Sequence, residues 1–193
     1  MIKKKIILAS SSPRRKELLS KLGIDFEVMD SGYMEDMNLK MKPTALAKYL
    51  SMGKAKAVAM KNNNCIIIAA DTFVVLDGKI IGKPNSKDLA IKMLLNLNNR
   101  TVQIITGLSI MDTYSNKNFS EIVIGKVKFR KFSKSEAKNY IKHGESLDRA
   151  GAFAVQGLGA VLIERVTGDF NSIMGLPLFK VAKILNKLGV KIL

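Results

Sequence analysis

The chain has no tryptophan, one histidine, one cysteine and four prolines in 193 residues. A lone cysteine cannot form an internal disulfide. Cys65 lies inside an apolar run, so a buried thiol is expected and a disulfide scaffold is excluded. Aromatic residues are only 6%, too few for a platform on which the bases of a single strand would stack. No apolar run approaches the ~20 residues that span a bilayer. The N-terminus, MIKKKIILASSS, is basic, but its apolar part, Ile6 to Ala9, is too short for a signal peptide, and Pro13-Arg14-Arg15 follows at once. Internal repeats and low-complexity linkers are also missing. The expectation is a cytoplasmic protein with no membrane partner. Negative charge is scarce too: 16 Asp and Glu stand against 32 Lys and Arg, a formal net charge of +16. Such an excess attracts polyanions. However, the lysines are spread out, with one run at Lys3 to Lys5 and a loose cluster from Lys126 to Lys134. No stable nucleic-acid partner is expected, whereas an anionic ligand is.

What is present is a hydrophobic content of 47%, enough for one domain over residues 1–193, whole or split into two lobes by a cleft. Its centre is IIIAADTFVVLDGKIIGKP, Ile66 to Pro84. The run Cys65 to Ala70 reads as a strand buried on both faces and stopping at Asp71. Phe73 to Leu76 resumes as strand, Asp77-Gly78 makes a hairpin turn, and Lys79 to Ile81 returns. A carboxylate at the end of a buried strand, with Lys83 brought near by a hairpin, has the parts to handle a metal-bound anion. The same residues also suit a turn cap and a solvated lysine.

Upstream, Ile6 to Ser10 reads as a strand. Ser12 then serves as N-cap and Pro13 as first residue of a helix whose stripe is Leu18, Leu19 and Leu22. That helix start gathers free N–H groups, Ser10, Ser12, Arg14 and Arg15, as a phosphate site would. Neighbouring helical residues diverge by roughly 100°, so one arginine is expected to meet a ligand and the other to make a structural salt bridge. Ile24 to Met29 is a second strand. An acidic loop, Asp30 to Lys42, carries Glu35 and Asp36, and a long helix spans Thr44 to Met60. Downstream, a helix is expected over Ser86 to Leu97, strands over Thr101 to Met111 and Glu121 to Phe132, and a capping box at Ser133 and Glu136 opening a helix to His143. In the glycine-dense stretch from Gly151 to Leu178, the Gln156 amide offers one donor and one acceptor group. It suits the edge of a pyrimidine, or is a surface side chain. A strand over Ala160 to Val166 and a helix over Pro177 to Leu188 complete an α/β chain.

Five stretches taken together resemble the Maf family of nucleoside triphosphate pyrophosphatases, also called septum formation inhibitor proteins: LASSSPRRKELL, AADTFV, GKP, LDRAGAFAVQGLG and GDFNSIMGLPL. The resemblance covers nearly the whole chain. It implies a twisted mixed β-sheet with flanking helices, two lobes around a cleft, similar to ITP pyrophosphatase. It implies hydrolysis of a nucleoside triphosphate to the monophosphate and pyrophosphate with a divalent cation: Mg²⁺ first, Mn²⁺ or Co²⁺ as alternatives. Asp71 matches the family's proton acceptor, with Glu35 as a second active-site carboxylate and metal ligand beside it. Lys54 and Lys83 match phosphate-contacting lysines, and Ser10, Ser12, Arg14 and Arg15 the phosphate motif. Arg14, Thr72 and Gln156 match the branch acting on dTTP and UTP, where relatives favouring 7-methyl-GTP carry Trp for that Arg and Glu for that Gln. Ala70 and Arg149 depart from the usual Gly and Lys, and Thr106-Gly107-Leu108-Ser109 is closer to the methyl-GTP relatives. The resemblance also implies a homodimer and a role in nucleotide-pool sanitation and cell-division arrest. The alternatives are a non-catalytic nucleotide-binding regulator of septum formation and, from charge alone, a nucleic-acid-binding module.

Overall fold

The structure is a computed structural model that describes residues 4–36, 39–145 and 147–193; Lys3 of the basic run lies outside them. In chain order the strands are β1 (Lys5–Ala9), β2 (Glu27–Met29), β3 (Cys65–Leu76), β4 (Lys79–Ile81), β5 (Thr101–Asp112), β6 (Lys117–Phe129) and β7 (Ile163–Thr167). The helices are α1 (Pro13–Ser20), α2 (Pro43–Ala59), α3 (Lys87–Leu97), α4 (Lys134–Lys142), α5 (Phe170–Ile173) and α6 (Leu178–Lys187). The strands form one seven-stranded sheet in the order β2-β1-β3-β5-β6-β7, with β4 pairing on β3. β1 runs parallel to β2 and β3, and the rest is antiparallel.

β3 is the spine, and here the structure corrects the sequence reading. Asp71 does not end a strand. β3 continues through it without a break, because β5 pairs with its whole length from Ile66 to Val75. The apolar pattern breaks at Asp71 because the other edge of β3 changes partner. β1 pairs with Cys65 to Ile68, β4 with Val74 to Leu76, and among the described residues no strand pairs with that edge in between. The Asp77-Gly78 turn joining β3 to β4 has positive φ at both residues, 49° and 76°, the backbone of a type I′ hairpin.

The two faces of the sheet are covered differently. On one face α2 lies along its length, its Leu46, Ala47, Leu50, Ala55 and Val58 packing on Ile67, Ala69, Phe73 and Val75 of β3. That close seat depends on Gly107 of β5, which pairs with Asp71. A Cβ there would stand 2.2 Å from the carbonyl oxygen of Ala47. The other face has two separate covers. α1 and α6 lie over Ile66, Ile68 and Ala70 through Leu18, Leu19, Val181 and Ile184. α3, α4 and Phe153 lie over Val74, Leu76 and Ile104. Thr72 falls between the two covers, and a cleft opens there.

Other departures are local. β7 begins at Ile163 rather than Ala160, because 157–162 coil into 3₁₀ turns. Gly157 takes φ +70°, and Gly159 lies against Ala154, whose carbonyl oxygen a Cβ would meet at 2.3 Å. β2 is shorter than expected, and α5 is a single turn capped by Asp169, whose carboxylate accepts from the N–H groups of Asn171 and Ser172. The capping box at Ser133 and Glu136 is present, and Val127 and Phe129 of β6 are buried.

Candidate active site

The cleft has a volume of about 820 Å³, within the ~300–1,000 Å³ usual for small-molecule sites. Ser10, Ser12, Arg14 and Arg15 line it from the β1–α1 junction, Glu35 from the acidic loop, Lys54 from α2, Asp71 and Thr72 from β3, and Lys83 from beyond β4. Gln156 does not join them: it is exposed, while its neighbour Val155 lines the cleft.

Asp71 is 6% exposed. Lys54, on α2, bridges the two carboxylates. Its Nζ donates to Asp71 Oδ1 and lies 2.7 Å from Glu35 Oε1. This lysine is therefore already paired. Asp71 Oδ2 is buried and has no hydrogen-bond partner among the described residues. A carboxylate oxygen in that condition costs free energy unless a cation or a donor meets it. Glu35 is presented by a loop that Tyr33 anchors. The Tyr33 ring lies flat on α2 at Gly53, where a Cβ would stand 2.4 Å from it. A hydrogen bond with Tyr49 raises the Tyr33 hydroxyl pKa above its ordinary value.

The cations approach from both sides. Pro13 opens α1 after Ser12, whose N–H donates to Ser10 Oγ at 3.2 Å while its own hydroxyl makes no capping bond. Arg15 is the structural arginine, yet it makes no ion pair among the described residues. Its Nε donates to the Gly175 carbonyl at 3.0 Å, Nη1 to Ser10 Oγ at 3.3 Å and Nη2 to Thr72 Oγ1 at 3.5 Å. The expected salt bridge is replaced by neutral acceptors, so the arginine keeps its full charge for the cleft. Burial pushes its pKa down, opposed by the Asp71 charge. Burial also lowers that of Arg14, and next to burial the nearby Arg149 guanidinium does so.

Sequence reasoning named Arg149 only as a departure and missed Asp148 and Tyr33, all of which line the cleft. Arg149 Nε is buried with no hydrogen-bond partner among the described residues, and its acid is Asp148, whose Oδ1 lies 3.6 Å away. Gly151, at φ +70°, donates its N–H to the Gly82 carbonyl at 2.9 Å, tying Arg149's segment to the turn that carries Lys83. The readable signal was a charged pair one residue short of a glycine in LDRAG. Arg14 on α1 and Arg149 ahead of Gly151 thus line one volume, an arrangement that a polyanion between them would relieve.

The donor set also fits a hard divalent cation. Asp71 Oδ2 and the Glu35 carboxylate, which now pairs with Lys54, would supply oxygen ligands. Among the described residues no group of three or more His, Cys, Asp or Glu is placed to hold a metal, so phosphate oxygens and water would complete the shell, as is usual for Mg²⁺.

A mixed α/β sheet carrying a cleft with two carboxylates and a ring of arginines and lysines defines a protein built for a polyanionic ligand. The family model described as Maf-like protein matches residues 5–188, and the chain belongs to that family. Among its relatives, a protein of Methanococcoides burtonii named dTTP/UTP pyrophosphatase is 47% identical over 190 residues, covering 98% of this chain and 97% of its own. Proteins of the same name from Dictyoglomus turgidum and Aquifex aeolicus are each 42% identical, over 100% of both chains and 96% of both chains respectively. The solved Ham1 protein of Staphylococcus aureus is 19% identical with a TM-score of 0.45, covering 83% of this chain and 80% of that one.

Proposed function

We propose that the protein is a nucleoside triphosphate pyrophosphatase acting on dTTP and UTP. Full-length relatives at 42–47% identity carry that name. The observation that carries the chemistry is Asp71 in the lining of a cleft ringed by cations, its buried Oδ2 without a hydrogen-bond partner among the described residues. In this reading Asp71 Oδ2 takes a proton from water as the water oxygen attacks the α-phosphorus. The bond from that phosphorus to the bridging oxygen breaks, and pyrophosphate leaves with the electron pair. Lys54, donating to Asp71 Oδ1, fixes the orientation of that carboxylate. Arg14, Lys83 and Arg149 neutralise charge gathering on the departing pyrophosphate, and the N–H groups opening α1 add their dipoles. Arg15, anchored to Gly175, holds Ser10 and Thr72 in place. Glu35 and Asp71 would hold a divalent cation, which when bound supplies Lewis-acid neutralisation of phosphate charge.

The test is pyrophosphate release from dTTP and UTP with Mg²⁺, scored for the monophosphate, in the wild type and Asp71→Asn. Release by the wild type, lost in the variant and on chelation of the cation, is expected. Undiminished release by Asp71→Asn would remove Asp71 from the role, and nucleotide binding without any release would leave a sensor rather than an enzyme.

A further inference from the structure

Thr106 lies on β5 directly opposite Thr72 and is fully buried beneath the cleft floor. Its hydroxyl is 2.8 Å from the Ser172 carbonyl oxygen and 2.9 Å from Thr72 Oγ1. A hydroxyl has one proton to give and two lone pairs to accept with. A carbonyl oxygen only accepts, so the Thr106 proton goes to Ser172. The proton between the two threonines then belongs to Thr72, which donates it to Thr106. Arg15 Nη2 donates to Thr72 Oγ1 from another side at 3.5 Å. What Thr72 presents to the cleft is a lone pair and no proton.

This polarity has a chemical consequence. Ionised phosphate oxygens only accept, so Thr72 cannot hydrogen-bond them. It is matched to a ligand N–H or O–H. Resting on the nucleotide reading above, we infer that Thr106 is a positioning residue for base selection: it commits Thr72 to accept, and Thr72 thereby favours a base with an imide N–H (uracil, thymine) over one with a bare ring nitrogen at that place (cytosine). A site built around one hydrogen-bond polarity leaves a buried group unpaired when the ligand has the other, and discriminates accordingly.

The experiment compares kcat/KM for UTP and CTP in the wild type, Thr106→Val, Thr106→Ala and Thr106→Ser. Valine matches threonine in shape but takes no proton, and Ser172 keeps a second donor in the Gly175 N–H, at 2.9 Å. Thr72 is then free to donate, and the UTP:CTP ratio should fall by about tenfold, with kcat/KM for CTP rising in absolute terms. A partly unfolded variant cannot produce that gain. Thr106→Ser keeps the hydroxyl and should keep the wild-type ratio. Thr106→Ala carries the same prediction as valine should valine disturb folding. An unchanged UTP:CTP ratio in a folded, active valine or alanine variant overturns the proposal and points Thr72 to the sugar or to water. A wild type that hydrolyses no UTP fails the nucleotide reading instead, and base selection falls with it.

Discussion

Two buried aspartates on the paired central strands are treated in opposite ways. Asp112, at the end of β5, has both oxygens occupied. It accepts from Lys4 Nζ at 2.7 Å, Ser115 Oγ at 2.8 Å and the Tyr114 N–H at 3.0 Å. Burial alone would push its pKa up, but these donors outweigh that and hold the carboxyl below its ordinary value. Asp71, in the middle of β3, has one oxygen on Lys54 and the other without a hydrogen-bond partner among the described residues. A saturated carboxylate is a fastener. A half-saturated one keeps capacity for a proton or a cation, at a cost the surrounding sheet must bear.

The comparison breaks or sharpens by experiment. The largest effect is expected from Asp71→Asn, which should cut turnover by about 10²- to 10⁴-fold while the thermal midpoint changes little. Turnover that survives would erase the contrast between the two acids. Gly107→Ala comes next. Its new Cβ would drive α2 off β5 and carry Lys54 away from Asp71, so denaturant melts should show a loss of about 1–3 kcal/mol, with turnover falling in parallel. Arg149→Ala should raise KM about tenfold by removing a charged donor to the ligand, with a smaller change in kcat. The smallest effect on catalysis belongs to Asp112→Asn. It should leave kcat and KM alone but cost about 2 kcal/mol of stability at neutral pH. Because the folded pKa of Asp112 lies below the ordinary aspartate value, its contribution is complete above that ordinary value. It fades as pH falls through the lower folded pKa, so the wild type should lose its advantage over Asp112→Asn on the acid side.

Much of the fold could be read from the chain because its elements carry local signals. The Asp77-Gly78 turn, the Ser133–Glu136 box and the alternation ending at Phe129 each follow from chemistry confined to a few residues. The continuity of β3 could not be read. An acid inside an apolar run looks like a stop, and only the exchange of β1 for β4 along one edge explains why a charge is tolerated there. The cleft itself was less visible still. Lys54 reads as one more lysine on a lysine-rich helix, and nothing local says that it spans Glu35 and Asp71. Gln156 shows the reverse: a promising amide in a suggestive motif stands exposed, outside the residues lining the cleft.

The anchoring of Arg15 on the Gly175 carbonyl has a consequence for how the molecule comes into being. β1 must find β3 across the register Lys5 to Cys65, a distant pairing that slows folding. Even a nascent chain that has zipped β1, β3 and β5 together still leaves its arginine unseated. Only when the stretch around Gly175 leaves the ribosome can the guanidinium be locked, so catalytic competence should wait for that stretch, after β1, β3 and β5 have already paired.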